Sequence, residues 1–181
     1  MTFEETALPD VLLITPRIFR DDRGAFQETF NLRTMTEAGL PAQWAQDNFS
    51  VSRKNVLRGI HYQTIQPQGK LVRVAYGAVL DVVVDLRRSS PMFARHIAVE
   101  LNDDNGHMLW IPPGFGHAFL TLSDEARFAY KVTDYYSAAG ERTIQWNDPD
   151  LAVAWPVSAA DAIVSEKDRQ GLRLRDAEVF A

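Results

Sequence analysis

Imidazole is the side chain that titrates near neutrality, and the chain has four: His61, His96, His107 and His117. His61 and His117 are candidate bases or proton donors. His61 lies in Val56-Leu57-Arg58-Gly59-Ile60-His61-Tyr62-Gln63, which sets a cation, a glycine and a histidine close together. Side chains alternate along a strand, so Arg58 and His61 point to opposite faces if the segment is regular. A bend or bulge at Gly59 brings both to one cavity. Without it, His61 reads as an ordinary half-buried strand residue.

The other chemistry-bearing residues form a kit for moving protons. Lys70, Arg58 and Arg23 suit a developing oxyanion or a phosphate. Tyr130 and Tyr136 are candidate acids or stacking rings. Asp81 and Asp168 are carboxylates able to fix and polarise an imidazole. No serine sits in an obvious nucleophilic setting, and the chain has 0 cysteines, which removes disulfides, thiolate catalysis and cysteine-held metal. Proton transfer therefore fits better than hydrolysis.

A barrel metal site of the His-x-His, Glu and distant His type is only half present. Gly106 and the run Pro112-x-Gly114-x-x-His117 match its second part. In the first part, Tyr62-Gln63 stands where a second histidine is needed and Gly69-Lys70 occupies the region of the carboxylate. Metal affinity needs a full ligand set, so no metal is expected.

The elements that would position these groups are mostly short strands. Val11 to Ile14, Arg17 to Phe19 and Ala25 to Phe30 read as extended, with a turn at Asp21-Asp22-Arg23-Gly24. Asn31 caps a helix over Leu32 to Ala38, closed by Gly39 and Pro41. Gln46 to Ser50 reads either as a solvated loop or as polar groups pointing into a pocket. Lys70 to Tyr76 and Ala78 to Leu86 are β-branched strands around Gly77. Asp81 interrupts the second: it is either paired inside or solvent-facing, because burying it unsatisfied is costly. Further strands follow at Ala94 to Leu101, His107 to Ile111, Phe115 to Leu122 and Ala126 to Thr133. This spacing, with Gly/Pro/Asn/Asp turns and almost no helix, predicts a β-sandwich or barrel. After Tyr136 the chain is less regular. A helical turn is expected from Ser158 or Asp161, and from Ser165 a charged tail that either packs over the barrel or ends as a solvated terminus.

Composition sets outer limits. The 181 residues suit one domain, and 46% hydrophobic with 24% charged residues is ordinary for a soluble globular protein. A net charge of -5 argues against a nucleic-acid surface or a polybasic membrane face. The acidic N-terminal residues do not resemble a signal peptide, and no run approaches the roughly 20 apolar residues of a membrane span. A cytoplasmic location is expected.

Seven separated motifs then converge. Asp22-Arg23-Gly24-x-Phe26-x-Glu28, Gln46-Asp47-Asn48-x-Ser50, the Val56 to Gln63 run and Gln68-Gly69-Lys70-Leu71-Val72 resemble those of the dTDP-4-dehydrorhamnose 3,5-epimerase family. So do Trp110-Ile111-Pro112-x-Gly114-Phe115-x-His117-x-Phe119, Tyr130-Lys131-x-Thr133-x-Tyr135-Tyr136 and Trp146-Asn147-Asp148. The resemblance runs in unbroken order from about Leu8 to Asp168. Gly116-His117-Ala118 and Phe49 depart from the pattern without touching the proposed base or acid.

The resemblance implies an all-β cupin, a jelly-roll (double-stranded β-helix) barrel with short helices and an irregular C-terminal tail, as a single domain over residues 1–181. It implies a homodimeric enzyme without metal or cofactor, whose N-terminal strands reach the partner's site. The implied reaction converts dTDP-4-dehydro-6-deoxy-D-glucose to dTDP-4-dehydro-L-rhamnose. By resemblance, His61 is the base, Asp168 or Asp81 its carboxylate partner, Tyr130 the acid on the opposite face, and Lys70 with His117 the enolate stabilisers. Phe19, Arg23, Glu28, Gln46, Asn48, Arg58, Tyr136, Glu141 and Lys167 would hold the nucleotide sugar. The alternatives are a single-site 3- or 5-epimerase on a related dTDP-4-keto sugar, and a non-catalytic sugar- or nucleotide-binding module.

Overall fold

Short runs of strand-forming residues, separated by turn residues, make up most of the chain. A computed structural model describes all 181 residues. In chain order the first strands are β1 (Thr2–Glu5), β2 (Leu12–Thr15), β3 (Ile18–Asp21), β4 (Gly24–Gln27), β5 (Gln46–Arg53), β6 (Val56–Gln63) and β7 (Lys70–Tyr76). They continue with β8 (Ala78–Asp85), β9 (His96–Asn102), β10 (Met108–Ile111), β11 (Phe115–Thr121), β12 (Glu125–Val132), β13 (Glu141–Thr143) and β14 (Ile163–Val164). Two short helices, α1 (Leu32–Glu37) and α2 (Glu166–Arg169), complete the regular structure with a 3-10 turn at Leu174–Asp176.

The strands form two facing sheets. One runs β1-β2-β10-β7-β12-β5; the other runs β13-β6-β11-β8-β9, with β14 alongside β6. Every strand pairing is antiparallel except β14 with β6. Between the sheets lies an apolar layer that includes Val72, Val74, Val83, Leu109, Phe119 and Phe128. Phe119 and Phe128 stack across it, one from each sheet, with ring centroids 4.3 Å apart. Such a pair contributes about 0.5–1.5 kcal/mol beyond area burial. The architecture is a jelly roll, as the resemblance implies and within the sandwich-or-barrel class that the strand pattern predicts.

A second apolar layer covers the outer face of the β6-β11-β8 sheet. There Ile60, Tyr62, Val82, Val84 and Ala118 meet Ile144, Leu151, Leu174 and Ala177 from the C-terminal third. Covered on both sides, β8 and β11 are buried almost throughout, hence their near-continuous apolar runs. The C-terminal tail is thus a structural layer rather than a loose extension.

Three details differ from expectation. Gln46 to Ser50 is not a loop but the start of edge strand β5, paired with β12 along its whole length. Its polar composition reflects its place at the rim, with Asn48 and Ser50 half-buried and Asp47, Phe49 and Val51 exposed. Strand β4 ends at Gln27, short of Phe30. The charged tail holds a short helix after Ser165, whose hydroxyl accepts from the Asp168 N–H, while Ser158 begins the single helical turn expected there, its carbonyl accepting from the Asp161 and Ala162 N–H groups. Asn31 caps α1 as expected, accepting from the Thr34 N–H.

Candidate active site

A bulge at Gly59 makes the site. In the β6–β11 ladder, His61 faces His117 and Arg58 faces Phe119, with an irregularity between. Two residues, Gly59 and Ile60, therefore oppose the single residue Ala118. His117 and Phe119 are two apart and share a face, so their partners His61 and Arg58 share it too. Gly59 has φ +115°, and a Cβ there would lie 2.5 Å from the His117 carbonyl oxygen and 2.6 Å from the Ala118 Cβ. No other residue fits both the conformation and the space.

His61 and Arg58 open onto a cavity of about 320 Å3 between the two sheets. His61, Gln63, His117 and Glu141 come from one sheet; Asn48, Ser50, Lys70 and Tyr130 come from the other. A groove of similar size, about 340 Å3, crosses the outer face of the β7-β12 sheet past Phe30, Leu71, Arg73 and Lys131. It holds no histidine and no buried acid.

His61 is held by Asp168. Its Nε2 lies 2.5 Å from the Asp168 Oδ1, and the Gly59 N–H donates to Oδ2 at 3.4 Å. The imidazole is about one-third exposed, while the Asp168 side chain is 4% exposed. Burial alone would raise the Asp168 pKa, but His61, the Gly59 amide and Ser165 together hold the carboxyl below its ordinary value. The carboxylate thus fixes the ring and leaves Nδ1 free to take a proton.

Asp81 does not take this place. It is fully buried and both its oxygens lie within 3.0 Å of the His117 Nε2. The geometry therefore settles the choice between the two aspartates: Asp168 partners His61 and Asp81 partners His117. Asp81 also sits beneath the cavity instead of lining it. The interruption of β8 is explained by this pairing, since a buried carboxylate needs a donor.

On the facing wall, burial raises the Tyr130 pKa, with the Arg58 charge opposing and the Glu141 charge adding; its hydroxyl stays protonated at neutral pH. Burial pushes Lys70 down to about 8, although the charges of Asp81 and Glu141 pull it back up. Arg58 donates from Nε to the Ser52 hydroxyl at 3.1 Å, which turns its guanidinium along the rim. At the mouth, the Tyr136 hydroxyl donates to Glu141 at 2.7 Å and Glu141 pairs with Lys167.

Four expected residues lie apart from this cavity. Phe19 and Arg23 belong to the β3–β4 hairpin, which pairs with neither main sheet; Arg23 is 90% exposed and ion-paired with Asp21. Glu28 accepts from the Asn31 amide, and Gln46 donates to Asn48 at the edge of the site. Asn48 and Ser50 point into the cavity, as one reading of their segment has it, whereas Gln63, Gln68 and Phe128 line it without having been named as site residues. Gln63 was findable, since it follows His61 by two positions on one strand.

A jelly roll whose two sheets present a histidine–aspartate pair, a lysine and a tyrosine to one cavity defines a proton-transferring enzyme of the cupin class. The family model described as dTDP-4-dehydrorhamnose 3,5-epimerase matches residues 5–176. The chain is 51% identical over 175 residues to the dTDP-4-dehydrorhamnose 3,5-epimerase of Pseudomonas aeruginosa, covering 96% of each. It is 46% identical over 183 residues to the Shigella flexneri enzyme of that name, covering 99% of each. The crystal structure of dTDP-6-deoxy-D-glucose-3,5-epimerase from Legionella pneumophila, in complex with dTDP-4-keto-L-rhamnose, superposes with a TM-score of 0.94. It is 43% identical, and the match covers 98% of this chain and 94% of that one. The chain belongs to the dTDP-4-dehydrorhamnose 3,5-epimerase family. No helix is long and apolar enough to cross a membrane.

Proposed function

We propose that this chain, working as one domain, epimerises dTDP-4-dehydro-6-deoxy-D-glucose at C3 and C5 to give dTDP-4-dehydro-L-rhamnose, with the following division of labour. C3 and C5 both flank the C4 ketone, so their protons become acidic once the enolate oxygen is stabilised. His61 Nδ1 removes the proton, and its imidazolium is stabilised by Asp168. The C–H electron pair moves into the enolate, whose oxygen is met by the Lys70 ammonium and by His117. Tyr130 returns a proton from the other face and recovers its own from solvent, while the His61 imidazolium releases to solvent the proton it took, so that both groups are reset. The reaction is an isomerisation with no net electron transfer.

One observation carries this assignment: His61 and Tyr130 stand on opposite sheets and line the same cavity. Inversion at carbon needs removal and return from opposite faces, and a base and a protonated phenol so placed satisfy it. Arg58 would hold the diphosphate, Asn48 and Glu141 the sugar, and Tyr136 the base as a stacking ring, with Lys167 beside it.

The protein is read as a homodimer in which the β3–β4 hairpin serves the partner's cavity. Phe19 and Phe26, paired across the hairpin, are 49% and 70% exposed, and Arg23 stands in its turn, bonded only to Asp21 of the same hairpin. These residues, with Glu28 and Gln46, would complete the nucleotide site from the neighbouring subunit.

Incubation with the dTDP-4-keto sugar in deuterated water tests the reading. Deuterium is expected at both C3 and C5. Label at one carbon selects the single-site epimerase, and label at neither leaves only a binding module. Tyr130→Phe is expected to retain exchange while losing C5 inversion; equal loss of both would remove Tyr130 from its role as the acid.

A further inference from the structure

One polar side chain inside the cavity is committed wholly to backbone. Gln63 follows His61 by two positions, shares its face and is 6% exposed. Its Nε2 donates to the carbonyls of Gln66 at 2.8 Å, Tyr135 at 3.2 Å and Ile65 at 3.5 Å. Its Oε1 accepts from the Ser137 N–H at 3.0 Å. The bonds to Tyr135 and Ser137 straddle Tyr136, so a single amide ties down the chain on both sides of that residue.

The far end of Tyr136 is also held, and by the same strand system. Its hydroxyl donates to Glu141, and Glu141 is the residue directly opposite Gln63 in the β6–β13 register. Glu141 pairs with Lys167, the neighbour of Asp168, and Asp168 holds His61. The contacts close a ring from His61 through Gln63, Tyr136, Glu141, Lys167 and Asp168 back to His61. Tyr136 is 55% exposed, and the bond to Glu141 is the one hydrogen bond its side chain makes.

We propose that Gln63 is a positioning residue that clamps the loop on either side of Tyr136 and so fixes that ring at the cavity mouth for the nucleotide base of the substrate. The proposal rests on the reading of Tyr136 as the stacking ring. An amide is the side chain this task demands, because it offers a donor and an acceptor in one plane to two peptide groups. A carboxylate lacks the donor, and an apolar residue leaves the Tyr135 carbonyl and Ser137 amide without partners. An exposed aromatic that must be ordered on binding loses affinity, whereas a pre-ordered one does not. Gln63 thus acts on the nucleotide end of the site although its own strand carries the base.

The test is a double-mutant cycle with Gln63→Leu, Tyr136→Ala and the double variant, measuring dTDP affinity by calorimetry together with kcat and KM. Gln63→Met, of closer length, serves the same cycle if Gln63→Leu does not fold. The Gln63 variants are expected to weaken dTDP and raise KM about tenfold, the scale of one or two lost hydrogen bonds, with a much smaller fall in kcat. In the Tyr136→Ala background the Gln63 substitution is expected to cost nothing more. Additive losses, or a kcat loss with dTDP affinity intact, would overturn the proposal while leaving Tyr136 as the stacking ring. Tyr136→Ala binding dTDP as tightly as the native protein would overturn the stacking reading and this proposal with it.

Discussion

His61 and His117 face each other across one ladder, each with an aspartate against Nε2, yet the two pairs are built differently. The His61 ring is 31% exposed and its Asp168 arrives from a C-terminal helix far along the chain. The His117 ring is 9% exposed, its Asp81 is 0% exposed on the adjacent strand, and the ring stacks against Phe128 at 6.0 Å. A group proposed to take protons from the substrate and shed them to solvent needs an open face and a partner that tolerates its charge. A group that must hold an oxygen in place needs rigidity. The same residue types give the first property at the end of a tail and the second in the middle of a sheet.

The largest effect expected to separate the pairs is loss of the proposed base. His61→Ala is expected to lower deuterium exchange at both carbons by about 10²–10⁴-fold, the range of a general base. Exchange persisting at either carbon would show a second base and break the contrast. Asp168→Asn is expected to follow at about 10²–10³-fold in kcat. The Gly59 N–H keeps the amide oxygen on its side, so the new NH2 faces His61. The ring must then accept at Nε2 and carry its proton on Nδ1, where the base needs a lone pair. A mild effect would mean that Asp168 only packs.

How far the sequence discloses this depends on chain distance. Arg58, Gly59 and His61 announce a bulge because a glycine lies between two functional residues of wrong parity, and the ladder carries it. Asp81 announces a buried partner because it breaks an apolar strand. Which histidine each aspartate meets could not be read locally: it depends on how the tail packs over the outer face of the sheet, a contact of 107 positions' separation. Strand β5 was hidden for a different reason. Edge strands with one face toward a polar cavity lose the apolar alternation that identifies strands. The ring through Gln63 combines both obstacles, since four of its bonds go to backbone.

The buried pair should be seen in stability before it is seen in rate. Asp81→Asn keeps an acceptor for His117 but puts NH2 donors into a fully buried position where the carboxylate bonds only to the His117 ring, a cost of about 1–3 kcal/mol. Denaturant unfolding should show that loss, with kcat falling far less than in Asp168→Asn. If Asp81→Asn unfolds like the native protein and loses kcat as Asp168→Asn does, the two pairs are not different in kind.

The smallest effect is the most diagnostic of how the pairs communicate. Burial holds Lys70 at about 8, and the Asp81 charge is the first of the influences opposing that shift; Asp168 is not among them. Because kcat/KM follows the free enzyme, it should fall as pH rises through about 8 and Lys70 loses its proton. Folding moves the other way: the folded pKa lies below the unfolded one, so between about 8 and 10.5 the unfolded chain binds more protons and the Lys70 contribution to stability rises with pH. Removing the Asp81 charge removes an attraction for the ammonium, so Asp81→Asn should shift the alkaline limb of kcat/KM to lower pH. Asp168→Asn should leave that limb where it is. A limb that moves with Asp168 instead would place the controlling charge on the open pair, and the buried pair would then be scaffold alone.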